Sequence, residues 1–156
     1  MNILRLLQVL LVIHLSGLTL MVGTDAVSFL AFKKLSNTLH EDQTAVKFYL
    51  NKLLGLSSLL PLGGILLISS GVGLLIITHT YGQLWFQLKM GVVVALISNG
   101  FLFGARQEKK ITQLLNAPDS QIHLQLRQAL ANLRIFYAIQ LAMYGLAVIL
   151  AVTKPG

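Results

Sequence analysis

The chain has 156 residues, of which 55% are hydrophobic and 11% are charged, and its formal net charge is +7. A soluble domain contains about 25% charged residues, so this deficit and the long apolar runs indicate an integral membrane protein. The absence of cysteine excludes disulfides, thiolate metal sites and cysteine catalysis. The basic residues lie between apolar runs, which favours a role in topology and contact with anionic lipid over nucleic-acid binding.

The first apolar run, residues 6–32, is longer than the roughly 20 residues needed to cross the hydrocarbon of a bilayer. It also exceeds the apolar core of a signal peptide, which favours a retained transmembrane helix. The run contains His14 and Asp25. An ionisable group costs roughly 2.5–3.5 kcal/mol at the membrane centre on insertion scales, so both side chains need a structural or functional reason.

The second predicted span, residues 53–78, is the most glycine-rich part of the chain. Pro61 lies within it and predicts a kink, because proline removes a backbone hydrogen bond. The glycines between Gly63 and Gly73 indicate tight helix packing, and a sharper alternative is a helix thinned to admit a flat cofactor. A short turn at residues 79–82 then makes the second and third helices antiparallel neighbours.

The third predicted span covers residues 84–105, with Lys89 at its membrane end, and its helix continues to about residue 115. Pro118 ends that helix, and the fourth helix carries the last predicted span, residues 135–153. The fold class is therefore all-α, a single domain over residues 1–156. We expect an integral membrane four-helix antiparallel bundle whose helices extend beyond the membrane on the cytoplasmic side.

Basic residues are strongly biased to one face of the predicted bundle. The other face has Arg5 and Lys154, with Lys89 at its edge. By the positive-inside rule, we expect both termini to lie outside and both long loops to be cytoplasmic. The residues on the basic face are Lys33, Lys34, Lys47, Lys52, Arg106, Lys109, Lys110, Arg127 and Arg134.

A rise of about 1.5 Å per residue places the polar side chains at two depths. The outer layer contains His14 and Lys89, with His79 and Gln87 as further candidates. The inner layer contains Asp25, Asn99 and Gln140, with Ser57 and Arg134 as further candidates. Of the inner set, Asn99 and Gln140 are typical of hydrogen bonds between helices.

Three of these residues have competing interpretations. A neutral His14 can bind haem iron or copper or relay protons, or it can simply hydrogen-bond to a neighbouring helix. Lys89 can bind a propionate or another anion, or extend to the outer interface. Asp25 can pair with Arg134 or a nearby lysine, be protonated, or belong to a proton or ion pathway.

The sequence contains no HExxH motif, no phosphate-binding loop after a strand and no plausible Ser-His-Asp set. A histidine midway in the first helix, and Trp85-x-x-x-Lys89 opening an apolar helix that ends in basic residues, do resemble a known group. It comprises small four-helix bacterial membrane proteins related to the HemJ-type protoporphyrinogen oxidases and the copper-resistance D-like proteins. The chain departs from that pattern at Ser98-Asn99-Gly100, where aromatic and histidine residues are expected, and in lacking an arginine near the end of the first helix.

The resemblance implies a haem- or porphyrin-associated membrane protein with haem b as cofactor. It implies His14 and Lys89 as catalytic and cofactor-binding residues, His14 as the metal ligand and Trp85 as a further cofactor contact. An enzyme of this kind would be an oxidoreductase acting on a hydrophobic substrate. The alternatives are a non-catalytic accessory or scaffold subunit of a membrane complex and a small ion-coupled transporter using Asp25. The expected partners are the lipid bilayer and a second copy or another membrane subunit.

Overall fold

The computed structural model describes residues 2–38, 55–56, 58–115 and 122–153. The described residues form helices and turns and contain no strand. Four segments are long and apolar enough to cross a membrane: Ile3–Leu35, Leu59–Thr78, Leu84–Leu114 and Gln125–Thr153. The helices are α1 (Ile3–Thr38), α2 (Leu59–Thr78), α3 (Leu84–Asn99), α4 (Ala105–Leu115) and α5 (Ile122–Thr153), with a π-helical turn (Gly100–Gly104) joining α3 to α4. The prediction of an all-helical chain with four apolar spans is confirmed.

The start of α2 differs from the predicted start of the second span at residue 53. Ser58 is the N-cap, so Pro61 lies in the first turn of α2. The first four N–H groups of a helix have no partner within the helix, and proline loses no hydrogen bond there. Residues 55–56 are also helical, which makes the proline region a boundary between two helical segments. Residues 53, 54 and 57 lie outside the described residues.

The turn predicted at residues 79–82 is present. His79 adopts the left-handed conformation with φ 51°, and its backbone N–H donates to the Leu75 carbonyl, which closes α2. A single 3-10 turn, Thr80–Gly82, then leads to α3 at Leu84. His79 is the one described residue other than glycine with a positive φ.

Helix α1 is central to the packing, because it lies against both α2 and α5, and α5 in turn lies against α3 and α4. The approach of α1 to α2 is close. A Cβ atom built on Gly17 would lie 2.9 Å from the Gly63 carbonyl oxygen and 2.9 Å from the Leu67 backbone nitrogen. The prediction that glycines of the second helix allow tight packing is therefore confirmed at Gly63, whereas Gly64 faces open space.

A buried hydrophobic core lies at the basic end of the molecule. It brings together the end of α1, α4 and the first half of α5, and the Phe32 and Tyr137 rings stack at its centre with centroids 5.7 Å apart. Lys109 and Lys110 are exposed on α4, while Ile111 on the same helix is fully buried. The core residues are Phe32, Leu35, Ile111, Leu126, Ala129, Leu130, Leu133, Phe136 and Tyr137.

The contact at Gly17 generates the first prediction. Gly17→Ala places a methyl group against backbone atoms of α2 that cannot rotate away, and we expect a loss of about 1–3 kcal/mol of stability. Gly23→Ala is the matched control, because it is the same change on the same helix with no atom within 4 Å of the added Cβ. Thermal unfolding in detergent measures both. Equal melting temperatures for the two variants would contradict the close approach of α1 and α2.

Candidate functional site

His14 lies on α1 at the face that contacts α2. The imidazole is half-buried, and its Nδ1 is 3.1 Å from Ser70 Oγ. Gly71 leaves room for the ring, since a Cβ at that position would lie 3.2 Å from His14 Cε1. The glycine-serine sequence of α2 thus serves two purposes, close helix packing and a polar partner for the histidine.

The hydrogen bonds of Ser70 fix the tautomer of His14. The Ser70 hydroxyl donates its proton to carbonyl oxygens of its own helix, principally that of Leu66. A hydroxyl has one proton, so Ser70 Oγ must accept from His14, and Nδ1 carries the hydrogen. In the neutral ring the lone pair is then on Nε2, the nitrogen that can bind a metal or accept a proton.

Lys89 lies on α3, and its side chain is half-buried. Its charge is close enough to act on the His14 imidazole. The two residues predicted for the outer polar layer thus lie within electrostatic range of each other, although their helices are far apart in sequence. Their roles as ligand and anion partner stay predictions. His79 and Gln87, the further candidates for this layer, are exposed.

Trp85 lies one helical turn before Lys89 on α3 and is half-buried. Its indole N–H donates to the Gln83 side-chain oxygen, and its ring packs edge-on to Phe86 with centroids 6.0 Å apart. These contacts are with neighbours in sequence at the start of α3. They place Trp85 on the same helix end as Lys89, and a contact between Trp85 and a cofactor stays a prediction.

The second polar group connects α3, α5 and α1 in the inner layer. The Asn99 amide donates to Gln140 Oε1 at 2.9 Å, and Gln140 Nε2 donates to the Tyr144 hydroxyl at 3.5 Å. The Tyr144 hydroxyl in turn interacts with Asp25. Asp25, Gln140 and Tyr144 are all buried. The prediction that Asp25, Asn99 and Gln140 share one level is confirmed by this chain of contacts.

The structure adds residues that sequence reasoning missed. Tyr144 was not considered, although it follows Gln140 by four residues and so lies on the same face of α5. Ser70 lies among the glycines of the second span, and its bond to His14 could not be predicted without the register of the two helices. The proposed pairing of Asp25 with Arg134 stays a prediction, with the Arg134 side chain exposed. Ser57 lies outside the described residues.

Comparison of the chain with protein-family models, curated protein sequences and solved structures found no match.

The tautomer assigned to His14 is directly testable. In ¹⁵N NMR spectra of the protein labelled at histidine, we expect the His14 ring to report a protonated Nδ1 and an unprotonated Nε2 at neutral pH. Ser70→Ala removes the acceptor and shifts the ring signals toward a mixture of tautomers. Ser69→Ala is the matched control, because Ser69 is exposed and its described bond is to its own helix. An unchanged His14 spectrum in Ser70→Ala would contradict the assignment.

Proposed function

We propose that the chain is an integral membrane four-helix antiparallel bundle that binds a haem or a related porphyrin between α1 and α3. Contacts between the helices support the antiparallel arrangement, because residue numbers rise along one helix as they fall along its neighbour. For α1 and α2, the contacting pairs are Leu10 with Gly73 and Gly17 with Gly63. For α1 and α5, they are Asp25 with Tyr144 and Phe32 with Tyr137. For α5 and the continuous α3–α4 segment, they are Asn99 with Gln140 and Gly104 with Phe136.

We place the bundle in a bacterial inner membrane, and its surface composition supports insertion in a lipid bilayer. Large apolar side chains are exposed along all four candidate spans, as expected for helices that face lipid. The exposed basic residues Lys33, Lys34, Arg106 and Arg127 flank the apolar spans at one end, which by the positive-inside rule is cytoplasmic. Both termini and the turn before α3 are then outside.

The observation that carries the porphyrin proposal is the pairing of His14 with Ser70 beside Lys89. An imidazole whose Nδ1 is held by a hydrogen bond presents Nε2 in a fixed direction, which is the usual arrangement of a histidine that binds a metal. The Lys89 ammonium would hold a carboxylate of the same ligand. Haem is an amphipathic molecule with an apolar ring, a metal and two propionates, and these three properties match an apolar surface, an imidazole and an ammonium.

The donor set also distinguishes haem from a bare metal ion. The described residues contain no group of three or more His, Cys, Asp or Glu side chains of the kind that binds a transition-metal ion directly. Haem supplies four nitrogens itself and requires one or two axial ligands from the protein, which a single histidine provides. When bound, it would supply one-electron redox chemistry, in keeping with the HemJ-type resemblance. Without a cofactor, the protein would be an accessory subunit of a membrane complex.

The test is an absorption titration of the detergent-purified protein with haem and, separately, with metal-free protoporphyrin. We expect a Soret band with haem that is lost or shifted in His14→Ala and retained in His79→Ala. The second variant is the matched control, because it removes an exposed histidine from the turn before α3. Lys89→Gln should weaken the binding of both ligands about tenfold, the effect of losing roughly 1.4 kcal/mol from one charged contact.

The two titrations separate the roles of His14 and Lys89. Metal-free protoporphyrin has no iron to ligate, so its affinity should fall in Lys89→Gln and change little in His14→Ala. A protein that binds neither ligand, or one whose haem spectrum is the same in His14→Ala, would overturn the proposal. The accessory-subunit alternative would then be favoured.

The proposed orientation has its own test, because the chain has no cysteine of its own. Single cysteines are introduced by Gly82→Cys in the turn before α3 and by Lys110→Cys on α4, both at exposed positions. A membrane-impermeant maleimide should label the first variant in intact spheroplasts and the second only after the membrane is permeabilised. The cysteine-free protein controls for background labelling, and the reverse pattern would contradict the orientation.

A further inference from the structure

Two buried oxygen-bearing side chains of α1 lie apart from the porphyrin site. Asp25 is 1% exposed and Ser28 is fully buried. They are three residues apart, so they share one face of the helix with their Cβ atoms about 5–6 Å apart. His14 is eleven residues earlier on the same helix, which separates the two regions by about 16 Å along the helix axis.

Ser28 differs from six other hydroxyl side chains among the described residues. Hydroxyl groups on apolar helices commonly donate to a carbonyl three or four residues earlier. Six described side chains do so here, namely Thr19, Ser58, Ser69, Ser70, Thr78 and Thr153. Ser28 Oγ is buried with no hydrogen-bond partner among the described residues. Its oxygen is therefore available to a ligand, and a buried polar atom of this kind is a common mark of a bound ion or water.

The polar chain of the inner layer is oriented toward Asp25. Asn99 donates to Gln140, and Gln140 donates to Tyr144, whose hydroxyl proton is then left to point at Asp25. A series of hydrogen bonds that all run in one direction polarises each member and favours negative charge at its end. The chain thus holds the Asp25 carboxyl group in one orientation.

We propose that Asp25 and Ser28 form a binding site for Na⁺ in the interior of the bundle, with Tyr144 as a positioning residue for the carboxylate. Carboxylate and hydroxyl oxygens are hard ligands of the kind that hard cations prefer. A cation at this position would contact the carboxylate and supply a partner for the Ser28 oxygen. Ion sites in the interior of membrane transporters serve coupling ions.

The experiment measures Na⁺ binding to the full chain in detergent. Melting temperature is followed as NaCl replaces choline chloride at constant ionic strength, and ²²Na⁺ binding is measured on the same samples. We expect a saturable rise in melting temperature with Na⁺, since a ligand that binds the folded state stabilises it. Asp25→Asn should abolish both signals, and Ser28→Ala should raise the Kd for Na⁺ about tenfold, as for the loss of one ligand oxygen.

Further variants separate ion binding from structural effects. Ser16→Ala is the matched control for Ser28→Ala, because Ser16 is an exposed serine on the same helix. Tyr144→Phe should weaken Na⁺ binding while Asn99→Ala, at the far end of the polar chain, should weaken it less. If Asp25→Asn fails to fold, Ser28→Ala still tests Na⁺ binding, because removing one hydroxyl oxygen is a small change that should leave the fold intact.

Two outcomes would overturn the proposal. In the first, Na⁺ and choline have the same effect on the wild-type protein, or Na⁺ binding is equal in Ser28→Ala and Ser16→Ala. In the second, infrared spectra at saturating Na⁺ show a protonated carboxylic acid band that disappears in Asp25→Asn, which would mean that Asp25 holds a proton in place of the ion. Neither outcome depends on haem, so the porphyrin proposal and this one can fail independently.

Discussion

The hydrocarbon interior of a bilayer provides no hydrogen bonds, so a polar side chain within a span depends on a partner in the protein, on its own helix or on a neighbouring one. In this chain two polar side chains find partners on other helices. His14 of α1 reaches Ser70 of α2, and Asn99 of α3 reaches Gln140 of α5. Each bond fixes the rotation of two helices about their axes. The individual energies are small, averaging about 0.6 kcal/mol where they have been measured in a membrane protein, and their main effect is on register.

Packing differs between the two ends of the molecule in a way that suits the proposed sites. At the basic end, the buried core of α1, α4 and α5 is continuous and centred on the Phe32–Tyr137 stack. At the other end, His14 and Lys89 are only half-buried, and the contact of α1 with α2 is made largely through glycines. A half-buried imidazole at an apolar surface remains accessible to a ligand that arrives from the lipid phase. A rigid core at the opposite end holds the helices that carry it.

Much of this arrangement could be predicted from residue type and position along the chain. Uninterrupted apolar runs located the four spans, and counting residues from the basic ends placed Asp25, Asn99 and Gln140 at one depth. Depth alone does not give the direction in which a side chain points about its helix. For that reason the bond between Ser70 and His14 and the interaction of Tyr144 with Asp25 could not be predicted, since both depend on how each helix is rotated against its neighbour. The order of the helices in the packing was not predicted either. The short turn at residues 79–82 predicted that the second and third helices are neighbours, whereas the main contacts of α2 are with α1 and those of α3 are with α5.

The π-helical turn at Gly100–Gly104 sets how α3 and α4 are rotated against α5, and so affects the inner polar layer. Asn99 contacts Gln140, and Gly104 lies against the Phe136 ring, where an added Cβ would be 2.8 Å from Cζ. Asn99 and Gly104 are five residues apart, whereas their partners on α5, Gln140 and Phe136, are four residues apart. Five residues of α-helix would turn the second contact well away from α5, because an α-helical turn takes 3.6 residues. A π-helical turn accommodates the extra residue, since its hydrogen bonds join residues five apart. The turn therefore lets α3 keep Asn99 in the polar layer while α4 continues against the core, and glycine at position 104 leaves the space that the Phe136 ring occupies.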